Sequence, residues 1–245
     1  MREINLLDSA PKIQRRFDTG WRTDKNREIS KRFDKEYFDG DRANGYGGYY
    51  YDGRWRGVVR KLQEIYGIDG NNAVLDIGCA KGFLLYDLQD IIPRIKVAGI
   101  DISMYAINKA MDGYTNYLVK QGFQLETAIK LEDIARRTIL PSMITGSADE
   151  LPYADNSFDV VLAMNTIHNL PKEKCRKSIQ EMVRVCRNKK NMFFLVDAYT
   201  NESEKKSLEA WNLTALTYMS LDEWVDFFKE CRYDGDYCGN ILRME

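Results

Sequence analysis

The run Ala73-Val74-Leu75-Asp76-Ile77-Gly78-Cys79-Ala80-Lys81-Gly82-Phe83 decides how the rest of the chain is read. Val74, Leu75 and Ile77 have the β-branched and aliphatic character of a buried strand, and Phe83, Leu84 and Leu85 open an apolar helix directly behind it. Between them Gly78 and Gly82 mark a sharp turn. Gly78 permits backbone angles that a side chain forbids, and Gly82 lets the helix start lie close to whatever sits above the strand. With the acid Asp76 just ahead of the first glycine, this is a seat for a cofactor. It is not a dinucleotide loop, which wants Gly-x-Gly-x-x-Gly so that amides and a helix N-terminus can approach a pyrophosphate.

Bulk composition narrows the classes. The 245 residues, 44% of them hydrophobic, suffice for one core of ordinary size with a cap, and not for two large domains. A net charge of -1 removes the general electrostatic case for nucleic acid or acidic membranes as partners. No apolar run approaches the roughly 20 residues of a membrane span. Met1 to Asp8 is polar too early for a signal peptide, so a soluble, cytoplasmic protein is expected. The cysteines Cys79, Cys175, Cys186, Cys231 and Cys238 include no Cys-x-x-Cys, and the single histidine builds no zinc site with them, so reduced, packed thiols are expected. No metal ligands are assigned, although the plentiful aspartates leave a carboxylate site open.

Upstream of the core, residues 1–56 are expected to form a cap or lid segment, with residues 57–245 the cofactor-binding domain. Lys12 to Asp39 mixes Arg15, Arg16, Arg22, Arg27 and Arg32 with nearby acids, the pattern of a solvated face. Gly45 to Trp55 combines glycine hinges with Tyr46, Tyr49, Tyr50, Tyr51 and Trp55, which suits either a lid or a plug at the end of the sheet. Tyr50 and Arg54 are its candidate substrate contacts. Val58 to Tyr66 has helical spacing and stops at Gly67. Downstream, Phe83 to Ile92 is a helix stopped by Pro93, and Lys96 to Ile100 a strand ending at Asp101, Ile102 and Ser103. An acid at the carboxyl end of the second strand of a βαβ unit accepts hydrogen bonds from a ribose diol, the role expected of Asp101. Ser103 caps the helix that follows. Residues 111–141 are longer than a minimal core needs and suggest one extra helix, covering the site, forming an oligomer interface or decorating the surface.

Motif and order together resemble the class I methyltransferases, which bind S-adenosylmethionine (SAM) and release S-adenosylhomocysteine. The resemblance rests on Asp76-Ile77-Gly78-Cys79-Ala80-Lys81-Gly82, on Ser147-Ala148-Asp149 and on Phe158 to Met164, and it covers about residues 70–200. Ala80 departs from it, standing where many members have a glycine. The resemblance implies an α/β, Rossmann-like fold: a mostly parallel sheet of seven strands, or slightly abridged, with helices on both faces and an N-terminal cap. SAM would lie across the carboxyl ends of strands one, two and four. Asp76 would face its ammonium, the helix start after Gly78, Cys79, Ala80 and Gly82 its carboxylate, Asp101 and Ile102 its ribose side, and Ala148 and Asp149 its adenine. Asn165 closes the cofactor set at the end of strand four. The family normally finishes with an antiparallel hairpin; only Tyr237 to Arg243 is a clear strand for it, with Leu216 to Met219 as the other choice.

His168, in Asn165 to Pro171, is the one side chain whose ordinary pKa suits a general base, or else it shapes the pocket wall. Asp197 and Tyr199 end the fifth strand as further candidate substrate contacts, or merely satisfy backbone. No Asp/Asn-Pro-Pro-Tyr follows strand four and no Pro-Cys nucleophile occurs, which argues against nucleic-acid bases and protein glutamine as acceptors. A small polar metabolite remains, such as a sugar, a nucleotide-linked sugar or a phosphorylated group in polysaccharide or secondary-metabolite tailoring, with a homo-oligomer allowed. The alternatives are a non-catalytic SAM-binding subunit or regulator and an NAD-linked oxidoreductase.

Overall fold

The computed structural model describes residues 1–8 and 21–242. Arg15, Arg16 and Arg243 lie outside them. Six strands form one sheet: β1 (Ala73–Ile77), β2 (Lys96–Asp101), β3 (Met143–Thr145), β4 (Val160–Met164), β5 (Met192–Ala198) and β6 (Asp236–Ile241). Their order is β3-β2-β1-β4-β5-β6, and every neighbouring pair is parallel. The order reverses between β1 and β4. Chain leaving these two strands therefore departs in opposite directions and opens a crevice at their carboxyl ends.

The sheet is the abridged form. Among the described residues there is no antiparallel hairpin: β6 lies directly beside β5, with Asp197 opposite Asn240. Leu216–Met219 is irregular chain. On the outer side of β6, Arg2 and Ile4 exchange backbone hydrogen bonds with Tyr237 at 3.0 and 2.9 Å. The first residues of the expected cap thus cover the sheet edge.

Strand alternation sorts the core. Leu75 and Ile77 face one layer, with Ile179 and Met182 of α8 (Lys172–Val185) and Trp224 and Phe228 of α10 (Leu221–Glu230). Val74 faces the other, with Val58, Val59 and Leu62 of α3 (Trp55–Tyr66) and Leu84 and Leu88 of α4 (Phe83–Ile91). Asp76 shares the parity of Val74, so it ends up at the rim beneath the cap. Gly67 terminates α3 in the left-handed conformation. Ser103 caps α5 (Met104–Asn108) by accepting from the Ala106 amide at 3.0 Å.

The extra segment forms two helices, α6 (Tyr114–Lys120) and α7 (Leu125–Ile139), rather than one. Ala135 and Ile139 of α7 pack with Met143, Leu85 and Phe83, beside β2 and β3. The cap contributes α1 (Asp24–Ser30), α2 (Lys35–Phe38) and a 3-10 turn at Arg42–Asn44, and α9 (Glu202–Trp211) follows β5.

Cap, insertion and cofactor loop meet at Lys81. Its side chain has no exposure to solvent, and its ammonium lies 2.8 Å from both carboxylate oxygens of Asp39 and 2.9 Å from Asp112. Asp39 also accepts from the Tyr105 hydroxyl at 2.7 Å and the Tyr49 amide at 3.1 Å. Burial alone would raise the pKa of Asp39; the bonds from Lys81, Tyr105 and Tyr49 overcome it and hold this carboxyl below its ordinary value. Stability from this group is therefore present above the unfolded carboxylate pKa near 4 and is lost as pH falls through the lower native value. Removing one member of a buried ion pair strands the other, at a cost of about 3–5 kcal/mol. Lys81→Met is expected to lose about that much in urea unfolding, with Lys81→Met/Asp39→Asn losing less than the sum of the single variants.

Candidate active site

The crevice at the β1/β4 reversal opens into a cavity of about 390 Å³. Its floor is built from strand ends and the turns after them. Asp76, Ile77, Gly78, Cys79 and Ala80 come from the end of β1, Asp101 and Ile102 from β2, Ser147 and Ala148 from the turn after β3, and Asn165 and Thr166 from β4. Its roof is aromatic and comes from the cap: Phe33, Tyr37, Phe38, Tyr46, Tyr49 and Trp55. The rings support one another, Tyr46 and Tyr49 with centroids 4.6 Å apart and Tyr49 stacked on Phe83 at 5.1 Å.

The turn after β1 is held by its own backbone. The Gly78 and Cys79 amides donate to the Ile100 carbonyl at 2.7 and 3.2 Å, and the Ala80 amide donates to Asp101 Oδ2 at 2.8 Å. Gly78 has φ +83, and a Cβ there would collide with Thr166 Oγ1, so strand β4 leaves no room for a side chain. Ala80 has φ +48, the left-handed region that costs a non-glycine residue roughly 1–2 kcal/mol. Gly82, also left-handed at φ +72, sits elsewhere than expected: a Cβ would meet Met143 Sδ at 2.7 Å, so it seats α4 against β3 and does not line the cavity.

Two buried carboxylates dominate the electrostatics. Among the described residues nothing donates a hydrogen bond to Asp76, and burial, followed by the proximity of Asp101, pushes its pKa up to about 7. Asp101 is also raised by burial, against the opposing amides of Ser103 (2.8 Å) and Ala80. Both can ionise more freely once a cation or further donors arrive. Opposite them Lys174, from α8, lines the rim and pairs with Asp149 at 3.3 Å. Asp149 lies behind Lys174 and Ser147, outside the lining. Burial raises its pKa, but Ser147 and Lys174 pull it below the ordinary value and keep it charged. Among the described residues no group of three or more His, Cys, Asp or Glu side chains is arranged to hold a metal.

His168 does not reach the cavity, as base or as wall. The chain after β4 forms a 3-10 turn at Ile167–Asn169 that drives the imidazole into the protein, where it is 2% exposed. Nδ1 accepts the Asp197 amide at 3.1 Å, and Nε2 lies 3.3 Å from Asp197 Oδ2. Burial lowers its pKa against the pull of Asp197, leaving it neutral. Asp197 is likewise engaged, accepting from Asn212 and Asn240 at 2.6 Å each, and it does not line the cavity. Tyr199 bonds Glu223 at 3.4 Å outside the site. Tyr50 and Arg54 line a separate cavity on the far side of the cap.

Lys81, Asp39, Phe33, Tyr37, Phe38, Thr166 and Lys174 were not singled out from sequence. Only Lys81 carried a usable signal, as a lone cation at the mouth of an apolar helix.

A parallel sheet with an acid-flanked glycine turn at its reversal point defines a Rossmann-like cofactor-binding protein. Residues 75–194 match the family model described as a methyltransferase domain. The demethylmenaquinone methyltransferase of Listeria monocytogenes serotype 4a (strain HCC23) is 28% identical over 162 residues, 66% of this chain and 58% of that protein. The chain thus spans less than two thirds of that relative. Among solved structures, the complex between the Haloferax volcanii Trm112 methyltransferase activator and a methyltransferase gives a TM-score of 0.51 at 18% identity, over 72% of this chain and 67% of the other. The [4+2]-cyclase SpnF gives 0.51 at 17% identity, over 80% and 62%. These two likenesses concern the fold. Over residues 75–194 the chain is thus similar to the methyltransferase-domain family, carried on a Rossmann-like fold.

Two outcomes follow from the geometry. Ala80→Gly should change the unfolding free energy by between 0 and about +1 kcal/mol, relief of the left-handed backbone offsetting glycine's entropy, whereas Ala163→Gly inside β4 should lose about 1 kcal/mol or more. His168→Ala should lose about 1–3 kcal/mol by stranding the buried Asp197 amide that Nδ1 accepts. Because the native imidazole refuses a proton that the unfolded one accepts, its contribution falls as pH drops below about 6.5. Equilibrium unfolding between pH 5 and 7.5 should show that slope in the wild type and less of it in His168→Asn.

Proposed function

We propose that this chain binds SAM across the carboxyl ends of β1, β2 and β4 and transfers its methyl group to an oxygen or nitrogen of a small molecule held under the aromatic roof. What supports the reading most is Asp76, a buried carboxylate with no hydrogen-bond partner among the described residues, facing the same cavity as Asp101. Such a pair is a poor host for a pyrophosphate and a good one for an ammonium and a ribose diol. In this reading Asp76 meets the ammonium of SAM and Asp101 uses its remaining lone pairs for ribose hydroxyls. Ile102, Ser147 and Ala148 border the adenine, and Asn165 stands at the methyl end.

Displacement at a sulfonium carbon has a good leaving group already, so the protein must mainly align the acceptor about 3–3.5 Å from the methyl and exclude water. The roof does both. Burial keeps the phenols of Tyr37 and Tyr49 protonated, and hence donors. With His168 turned away, an amine or a readily ionised hydroxyl is the better acceptor. A second reading has one observation in its favour: the aromatic roof also suits an apolar ring, and the relative from Listeria is named for demethylmenaquinone.

Calorimetric titration of ligand-stripped protein is expected to give micromolar binding of SAM and S-adenosylhomocysteine and none of NAD. Asp101→Ala should weaken SAM at least 100-fold; unchanged affinity would remove the site assignment. The ammonium needs Asp76 ionised, so below about pH 7 binding must expel a proton. SAM affinity should therefore fall by up to tenfold per pH unit between pH 7 and 5.5, and Asp76→Asn should bind weakly with little pH dependence.

A further inference from the structure

Behind the aromatic roof lies a second cavity of about 640 Å³, between the cap and α6. Tyr46 and Tyr49 line both cavities, so the two spaces are separated by a pair of rings. Their electrostatics are opposite. The cofactor cavity presents Asp76 and Asp101, and its cation among the described residues, Lys174, is paired with Asp149. Among the described residues the outer cavity is bordered by Arg42, Arg54 and Lys120 against the acid Asp52.

Arg42 donates through Nη1 to the Gly45 carbonyl. Asp52 binds Arg54 through Nε (2.9 Å) and Nη2 (2.6 Å), which fixes the plane of the guanidinium, and no acceptor among the described residues lies on Nη1. Lys120, exposed at the end of α6, has no ion pair or hydrogen bond through its ammonium among the described residues. Neutral donors stand beside them: the Tyr50 and Tyr117 hydroxyls and the Asn116 and Gln121 amides. Tyr50 is 51% exposed, yet its position is tightly built. A Cβ at Gly48 or Gly113 would come within 2.6 or 2.7 Å of its side chain, and its ring lies 5.1 Å from the Lys81 ammonium.

We propose that the outer cavity is the subsite for a phosphoryl group on the methyl acceptor, held by Arg54 and Lys120 with Arg42 at the rim, while the ring of the acceptor lies along Tyr46 and Tyr49 toward the cofactor cavity. A phosphate dianion matches the open Nη1 of Arg54 and the Lys120 ammonium, with phenolic donors bordering the same cavity, better than a carboxylate does. Segregating charge this way steers an anionic acceptor to the outer side and keeps its phosphate from competing with the carboxylates that await the SAM ammonium. What happens to the ligand rests on the methyltransferase reading; that a phosphoryl group binds there does not.

The test uses the intact chain and inorganic phosphate and pyrophosphate as probes, titrated at low ionic strength by calorimetry and phosphorus NMR, with acetate as the carboxylate comparison. Phosphate is expected to bind in the millimolar range or tighter, pyrophosphate more tightly and acetate more weakly. Lys120→Glu, at an exposed and unpartnered position, should weaken phosphate at least tenfold while S-adenosylhomocysteine binding stays unchanged. Saturating S-adenosylhomocysteine should not displace the phosphate. Absence of phosphate binding, equal binding by Lys120→Glu and Arg54→Gln, or displacement by S-adenosylhomocysteine would each overturn the proposal. Failure of the adenosyl ligands to bind, with phosphate still bound and sensitive to Lys120, would fault the methyltransferase reading and leave this site standing.

Discussion

A lysine with no access to water must be surrounded by its counter-charges, and Lys81 finds them in two segments that the sheet itself does not require. Asp39 arrives from the cap and Asp112 from the start of the insertion. The ammonium sits one residue beyond Ala80, whose amide holds Asp101, so cofactor turn, cap and insertion share one electrostatic centre. Replacing the lysine and its acids together by well-packed apolar side chains could fill the same space at no loss of stability. The charge contributes register: only a docking that brings both carboxylates to one ammonium is tolerated, and that docking also places the Tyr49 amide on Asp39 and the Tyr51 amide on the Asp112 carbonyl. Position of the aromatic roof is therefore set from below.

Around this centre, charge is laid out in layers. Burial makes Asp76 and Asp101 each harder to ionise than a free carboxylic acid, and for Asp76 the repulsion of Asp101 adds to it. A bound cation relieves that repulsion, so part of the affinity for a cationic ligand is already present as destabilisation of the empty site. The tyrosine layer insulates this crevice from the arginines and Lys120 outside. Neither face could be moved to the other side without placing like charges together.

What was legible in the sequence was what lies close along the chain. Asp76, Gly78 and the strand before them are contiguous, and Asp101 follows after one helix, so their common cavity could be anticipated from the crossover geometry. Strands β1, β4 and β5 were found because each is a short apolar run between turns. The Lys81–Asp39 pair was not legible: 42 positions separate the partners, and many acids of the cap would have looked equally suitable. The second insertion helix was missed because α6 is only seven residues long, mostly polar on its outer side, and begins from a glycine without a side-chain cap. Gly82 was assigned to the cofactor on the ground that a glycine admits close approach, which is right, but what approaches is Met143.

His168 shows the limit of reasoning from strand ends. The rule that ligands bind beyond the carboxyl ends of parallel strands locates a stretch of backbone, and says nothing of which way a side chain points once that stretch becomes a 3-10 turn. Here the imidazole turns inward to Asp197, which also accepts from Asn212 and Asn240, while the Asp197 carbonyl accepts from the Trp224 indole at 3.2 Å. The network binds the turn after β4, the end of β5, β6 and α10 together at the edge where the sheet is abridged. A group needed there to hold structure is withdrawn from acid–base work, and its neutral state, fixed by burial, suits that employment. The catalytic demand that remains is positioning beneath the cap, which returns the burden to the docking made by Lys81.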